Sequence, residues 1–287
     1  MKPELTDEVV KLLVKKIDLG LVPTYRGAGC FPLVDVTTAT QGVFAQCGLS
    51  GSDDDHPPTV DSKIAWLTHT IGRLEWSGMD ARARGLRRLA VAQLGSASLS
   101  LGVAEEVVRQ AAELLLTWGA PVVLRGYARL EDLGRGRASV PRWWQPEKRR
   151  QFELHRRALL EAAQWYAAYD AREDERARPD IDWWLAGCGG QVMGSIHAAA
   201  RALEQDTGNS SAAFSQGMET IAEFAAPRCP KDRDALFAAF AEQVVALLIR
   251  HESPGAAFLA TFCPGQPANQ GYWGASGSNA HGTGVGR

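Results

Sequence analysis

Apolar residues recur at spacings of three and four through almost every well-punctuated segment of this chain, and that period belongs to helices. From Thr59 to Trp76, Val60, Ile64, Leu67, Ile71 and Leu74 share one face, with Thr59 placed as the cap. Thr6 before DEVVKLLVKKIDLG supplies an N-cap, two first-turn acids, the stripe Val9, Val10, Leu13 and Ile17, and Gly20 as a stop. Asp80–Leu94 and Ser100–Trp118 read as helices closed by Gly95 and Gly119. Thr37–Cys47 is a shorter one ending at Gly48, and Val122–Leu133 fits a short strand or a helix. Later helices are expected from Asp180 or Asp182 to Leu203, over Ser211–Phe224 and over Asp232–His251.

The predicted fold is therefore all-α, an irregular multi-helix bundle of eight to ten helices in one body or two abutting sets. Pro- and Gly-rich text at Gly20–Asp35 and Ser50–Pro58 reads as extended connection. A boundary is expected at Gly134–Pro146, giving an N-terminal helical set over 1–134 and a long-helix set over 135–263. A Gly-rich tail follows over 264–287, whose six glycines after Asn269 and scarcity of aliphatic residues predict flexibility. No repeat of fixed period is visible, so a solenoid has no support.

Composition narrows function more than fold. In 287 residues, 45% hydrophobic and 22% charged, a net charge of −2 excludes coating of nucleic acid through overall charge and leaves only local patches. The five cysteines Cys30, Cys47, Cys188, Cys229 and Cys263 form no CxxC pair and have no His at zinc-finger spacing, so a closed zinc site is not expected. The first twenty residues are amphipathic and charged, and no run reads as the ~18 to 20 apolar residues of a membrane span. A soluble, cytoplasmic protein with no membrane partner is the expectation.

One local pattern stands out. Pro146 suits a helix start, and the text from there reads as one helix to about Ala177. Its beginning is basic: Arg135, Arg137, Arg142, Lys148, Arg149, Arg150, Arg156 and Arg157 stand against Glu147 and Glu153. Its far end is acidic, from Asp170 to Asp182. A helix N-terminus carries about half a positive charge, so cations there cost about 0.3 to 1 kcal/mol each before screening. An anion meeting these arginines would offset that cost. Trp143 and Trp144 lie within the basic run, and arginine with stacking aromatics is the chemistry of single-stranded nucleic-acid binding. Arginine also pairs bidentately with carboxylates on an acidic protein. A second basic cluster, Arg82, Arg84, Arg87 and Arg88, lies on another helix, with 84, 87 and 88 on one face. The bland alternative is that all these arginines bridge to the protein's own acids.

Other constellations are weaker. VFAQCGLS before TVDSKIAWLT has the order of a helix-turn-helix, but SGSDDDHPP is too long for the turn and places Asp53, Asp54 and Asp55 where phosphates approach. Those acids with His56 form at most a cation loop. Asp170 and Asp174 share a helical face, which resembles the Mg²⁺ or diphosphate site of an all-helical terpenoid synthase. The second ligand set would need Ser215 and Glu219, and Ser211 stands where Asn is expected. Cys188 and His197 leave opposite sides of one helix, nine residues apart, so they form no local nucleophile–base pair. The glycines of GCGGQVMG, Gly187, Gly189, Gly190 and Gly194, suit close packing of another helix rather than a phosphate loop. Trp183 and Trp184, like Trp143 and Trp144, put neighbouring rings on different faces, so one of each pair suits an interface.

The functional expectation is a non-catalytic binding or assembly protein that contacts nucleic acid or an acidic protein partner through its basic, Trp-bearing surface. No cofactor is expected under that reading. The alternatives are an all-helical enzyme holding Mg²⁺ through its Asp-rich helix and a structural subunit of a homo-oligomer or larger complex.

Overall fold

Thr6 adopts an extended conformation and its hydroxyl accepts the Val9 N–H at 3.4 Å, which starts helix α1 (Asp7–Asp18) where capping chemistry places it. Acids in the first turn (Asp7, Glu8) and Lys15 and Lys16 in the last complement the helix dipole. Gly20 ends the element at φ +83°, a left-handed conformation that favours glycine. A computed structural model describes residues 5–20, 43–49, 59–135, 145–168, 188–205, 210–225 and 230–264. The further helices of eleven or more residues are α2 (Ser62–Gly72), α3 (Met79–Ala92), α4 (Leu101–Leu114), α5 (Ala120–Arg135), α6 (Gln145–Ala167), α7 (Cys188–Gln205), α8 (Ser210–Ala225) and α9 (Pro230–Arg250). Short helical turns lie at Val43–Gln46, Ser96–Ser98, Pro254–Phe258 and Leu259–Phe262. Among the described residues there is no strand. The protein is all-α, and Val122–Leu133 is helix.

The helix expected to run from Pro146 to about Ala177 ends at Ala167, with a turn at Ala168, and three other boundaries differ from the sequence reading, each for a physical reason. Asp61, not Thr59, caps α2, because its carboxylate accepts from both Lys63 N (2.9 Å) and Ile64 N (3.3 Å). Thr59 is buried, with its carbonyl accepting the Ala97 N–H. The helix stops at Gly72 rather than Trp76, and the Trp76 indole donates back to the Ile71 carbonyl at 3.2 Å. Gly119 stops nothing. From Leu114 the chain passes through a π-helical turn, Leu115–Gly119, directly into α5, so Leu101 to Arg135 is one unbroken helical run. Gly119 serves packing instead: a Cβ there would lie 2.5 Å from Ile221 Cδ1 of α8.

That run also corrects the estimate of apolar length. Leu101–Gly126, 26 residues with a mean hydropathy of 1.2 in its most apolar window, is long and apolar enough to cross a membrane by length and composition. Here 61% of that window is buried inside the protein, with Ala104, Val107, Ala111, Ala112, Leu115, Ala120, Val123 and Leu124 in the core. It packs as the central helix.

Around it, α3 pairs with α9 and α1, α5 with α6, and α7 with α8. α4 touches α7 and α9, and α8 touches α5. One apolar cluster draws on every long helix, from Val10 of α1 through Leu159 of α6 to Leu248 of α9. The close helix packing expected at the glycines of GCGGQVMG is not found at Gly194, which faces open space, while Gly187 and the surroundings of Gly189 and Gly190 lie outside what the structure describes. The close approach of α7 and α8 falls instead at Gly217, where a Cβ would lie 2.4 Å from Ala199 Cβ. The segment after α9 folds back onto the C-terminal end of α3. Gly255 N donates to the Leu94 carbonyl at 2.7 Å and the Ser253 hydroxyl to the Ala92 carbonyl at 2.7 Å, occupying acceptors that a helix end leaves open.

Candidate polyanion-binding face

Helix α6 starts at Gln145, so Pro146 occupies its first turn and Lys148, Arg149 and Arg150 follow within its first two turns. The helix lies at the edge of the bundle, held by α5 and by the π-helical turn. Leu159, Ala162, Ala163 and Tyr166 form its buried stripe. The opposite side is open: Leu154 is 61% exposed and the Arg157 side chain 79% exposed. Arg157 bonds Glu161 one turn later at 2.8 Å, a largely solvated pair of small energetic weight. By helical register Arg150 precedes Leu154 by four residues and Arg157 by seven, which places the three along one line of the helix. Arg137, Arg142, Trp143 and Trp144 lie outside the described residues, and the side chains of Arg135, Lys148, Arg149, Arg150 and Arg156 lie outside what the structure describes.

The second basic cluster is built into the fold. Arg87 of α3 meets Asp18 of α1, with Nε 2.9 Å from one carboxylate oxygen. Arg88 bonds Glu242 of α9 at 3.0 Å and donates to the Cys263 carbonyl, so it ties three segments together. Cys263 is buried beside them, and burial pushes its thiol pKa up against the pull of Arg87 and Arg88. Arg82 is half-buried, its Nε has no hydrogen-bond partner, and burial holds its pKa below the usual arginine range. Arg84 is exposed. Two members of this cluster therefore meet the protein's own acids.

The metal and thiol candidates fare differently by position. Asp170 and Asp174 lie outside the described residues, as do Asp53, Asp54, Asp55 and His56. Glu219 of α8 is described, and its carboxylate is bonded to Arg233 of α9. No group of three or more His, Cys, Asp and Glu side chains that could hold a metal exists among the described residues. His197 Nε2 stands 2.9 Å from the hydroxyl of fully buried Tyr166, in an edge-on ring contact. The Cys188 side chain lies outside what the structure describes.

Sequence reasoning missed two polar constellations. One is the Tyr166–His197 pair between α6 and α7. The other joins Arg233 to Glu219 and Glu75, and Asp234 to Ser77. Ser77 and Asp234 are 157 positions apart, so no local spacing could signal them. No family model matches this chain, and neither a curated protein nor a solved structure does.

Proposed function

We propose that this chain is a non-catalytic binding or assembly protein that takes nucleic acid along the basic, Trp-bearing segment entering α6, from Arg135 to Arg157. What supports the reading is where α6 begins. Its first turns carry Lys148, Arg149 and Arg150 at the positive end of a 23-residue helix. External phosphates relieve that repulsion, and a helix N-terminus adds backbone donors of its own. The outward line at Leu154 and Arg157 extends the face. Trp143 and Trp144 supply stacking surfaces for unpaired bases.

Arg87 and Arg88 are engaged in ion pairs with Asp18 and Glu242, which weakens their case for this interface, and Arg84 is the exposed candidate on α3. An acidic protein is the other polyanion this chemistry accepts. The Mg²⁺ reading loses support at Glu219, whose carboxylate meets the protein's own cation.

The first test is whether the purified protein carries nucleic acid, read from its 260 to 280 nm absorbance ratio before and after nuclease. The second is titration with single-stranded and duplex oligonucleotides over a range of salt. Each phosphate contact on a single strand contributes roughly 0.7 to the slope of log affinity against log salt. Salt-sensitive binding that favours single strands is expected. Absence of binding to either form, with capture of an acidic polypeptide instead, replaces nucleic acid by a protein partner. Binding unaffected by salt overturns the reading.

A further inference from the structure

Arg233, in the first turn of α9, reaches carboxylates on two other elements. It bonds Glu219 of α8, and it stands 3.4 Å from Glu75 in the connection between α2 and α3, residues 73–78. The same connection is pinned at its next two residues. Trp76 packs edge-on against Phe237 of α9, its ring tip filling the space above Gly85 where a Cβ would come within 2.4 Å. Ser77 donates its N–H to Asp234 Oδ1 at 2.8 Å and its hydroxyl to Oδ2.

The arrangement is electrically unbalanced. Glu219 and Glu75 share one guanidinium, and Glu219 Oε1 is buried with no hydrogen-bond partner. An ionised carboxylate oxygen that has lost water and gained no donor is costly, and a second negative group nearby adds to the cost. Releasing the connection would carry the Glu75 charge away from Glu219 and Arg233.

We propose that this junction is an acid-tightened clasp, in which protonation of Glu219 strengthens the hold of residues 73–78 on α8 and α9, and ionisation loosens it. Burial first, and Glu75 second, hold the Glu219 carboxyl above its usual range, against the pull of Arg233 and the Glu75 N–H. Among the described residues these are the charged groups that act on it; on α9, Asp232 is exposed and Asp234 is bonded to Ser77. Of the other elements packed on α8, Arg125 of α5 and Arg201 of α7 are exposed, as is Glu223 on α8 itself. On α2, Arg73 acts on His69. The sign follows from linkage: the clasped state has the higher pKa, binds the proton more tightly, and is favoured as pH falls through that value.

Hydrogen exchange at the Ser77 amide reads the clasp directly, because that N–H is bonded to Asp234. Across pH 5 to 8, corrected for intrinsic exchange, wild-type protection should fall with rising pH, on the order of tenfold for each unit by which the clasped pKa exceeds the open one. Glu219→Gln should hold the amide protected throughout, with the pH dependence gone. Glu75→Gln, at a side chain 80% exposed, keeps the proposal testable if the first variant fails to fold. It should shift the wild-type midpoint to lower pH. Wild-type protection that is flat or rises with pH overturns the clasp. So does loss of protection in Glu219→Gln at pH 8, which would mean the Arg233 ion pair alone holds the connection, and so does an unmoved midpoint in Glu75→Gln.

Discussion

Gly255 sits where no side chain fits, since a Cβ would lie 2.2 Å from the Val91 carbonyl oxygen, 2.7 Å from that of Leu94 and 2.9 Å from that of Ala92. Gly255→Ala must push the returning segment off the end of α3, and a loss of roughly 2 to 4 kcal/mol in chemical denaturation is expected. Ser253→Ala removes only the bond to the Ala92 carbonyl and should cost about 1 kcal/mol. Equal effects of the two changes would contradict this account of the junction. His69 gives the pH dependence at the same scale. Burial, with Arg73 adding, lowers its pKa to about 4 from 6.5, so the folded state disfavours the charged ring. The stability of keeping it neutral is full above pH 6.5 and is lost as pH falls toward 4. With the ring partly exposed, the loss should be about 1 to 3 kcal/mol. Thermal melts of wild type and His69→Gln between pH 7 and 4.5 check it, and parallel pH profiles would refute it. Residue roles were the least legible part of the sequence. Thr59 and Asp61 are both good cap residues, and what selects Asp61 is the burial of Thr59 against Ala97, a contact made by the fold. Gly119 has the composition of a stop and the position of a packing notch, and only Ile221, a hundred residues on, decides between them.

At the scale of elements, α3 shows how the surroundings weight an ion pair. Arg87 and Asp18 are 31% and 53% exposed, so Arg87→Ala should cost no more than about 1 kcal/mol. Arg88 and Glu242 are 23% and 24% exposed, and Arg88 also holds the Cys263 carbonyl. Arg88→Ala should therefore cost about 1 to 3 kcal/mol, and Arg88→Lys should recover only part of it, because an ammonium lacks the fork that serves both partners. Urea denaturation of the three variants ranks them, and an Arg87→Ala loss exceeding that of Arg88→Ala would reverse the argument. Helix identity was legible for the reason that makes helices form. The apolar stripes of α1 and α2 recur every three to four residues, and the cap at Thr6 and the stops at Gly20, Gly48 and Gly95, which bound α1, the Val43–Gln46 turn and α3, are local chemistry. The fusion of α4 and α5 was not legible, because Gly119 reads as a stop, while in the fold it ends a π turn braced by α6 and α7.

For the whole molecule, helices of both the 1–134 and the 135–263 segments contribute to one apolar cluster. Among the described residues the last tie to it is the Cys263 carbonyl held by Arg88, and the tail after it is glycine-rich and poor in aliphatic residues, so truncation after Gly265 should leave the melting temperature unchanged, and a large fall would show that Tyr272 and Trp273 anchor the tail. The fold class was legible because helical periodicity is written in most of the long segments, Val122–Leu133 being the one that also fitted a strand. The proposed binding face was legible only as a charge pattern on a helix, to which the structure adds a helix start at Gln145 and an exposed outer side at Leu154 and Arg157. The central claim is that this basic entrance meets an external polyanion. Changing Arg149 and Arg150 together to Glu tests it most directly, with salt-dependent binding to single-stranded nucleic acid measured beside thermal unfolding. The account predicts a large loss of affinity with stability equal or slightly raised, since acids suit a helix N-terminus. Unchanged affinity together with a stability loss of about 1 to 3 kcal/mol would contradict it and assign these arginines to an internal charge network.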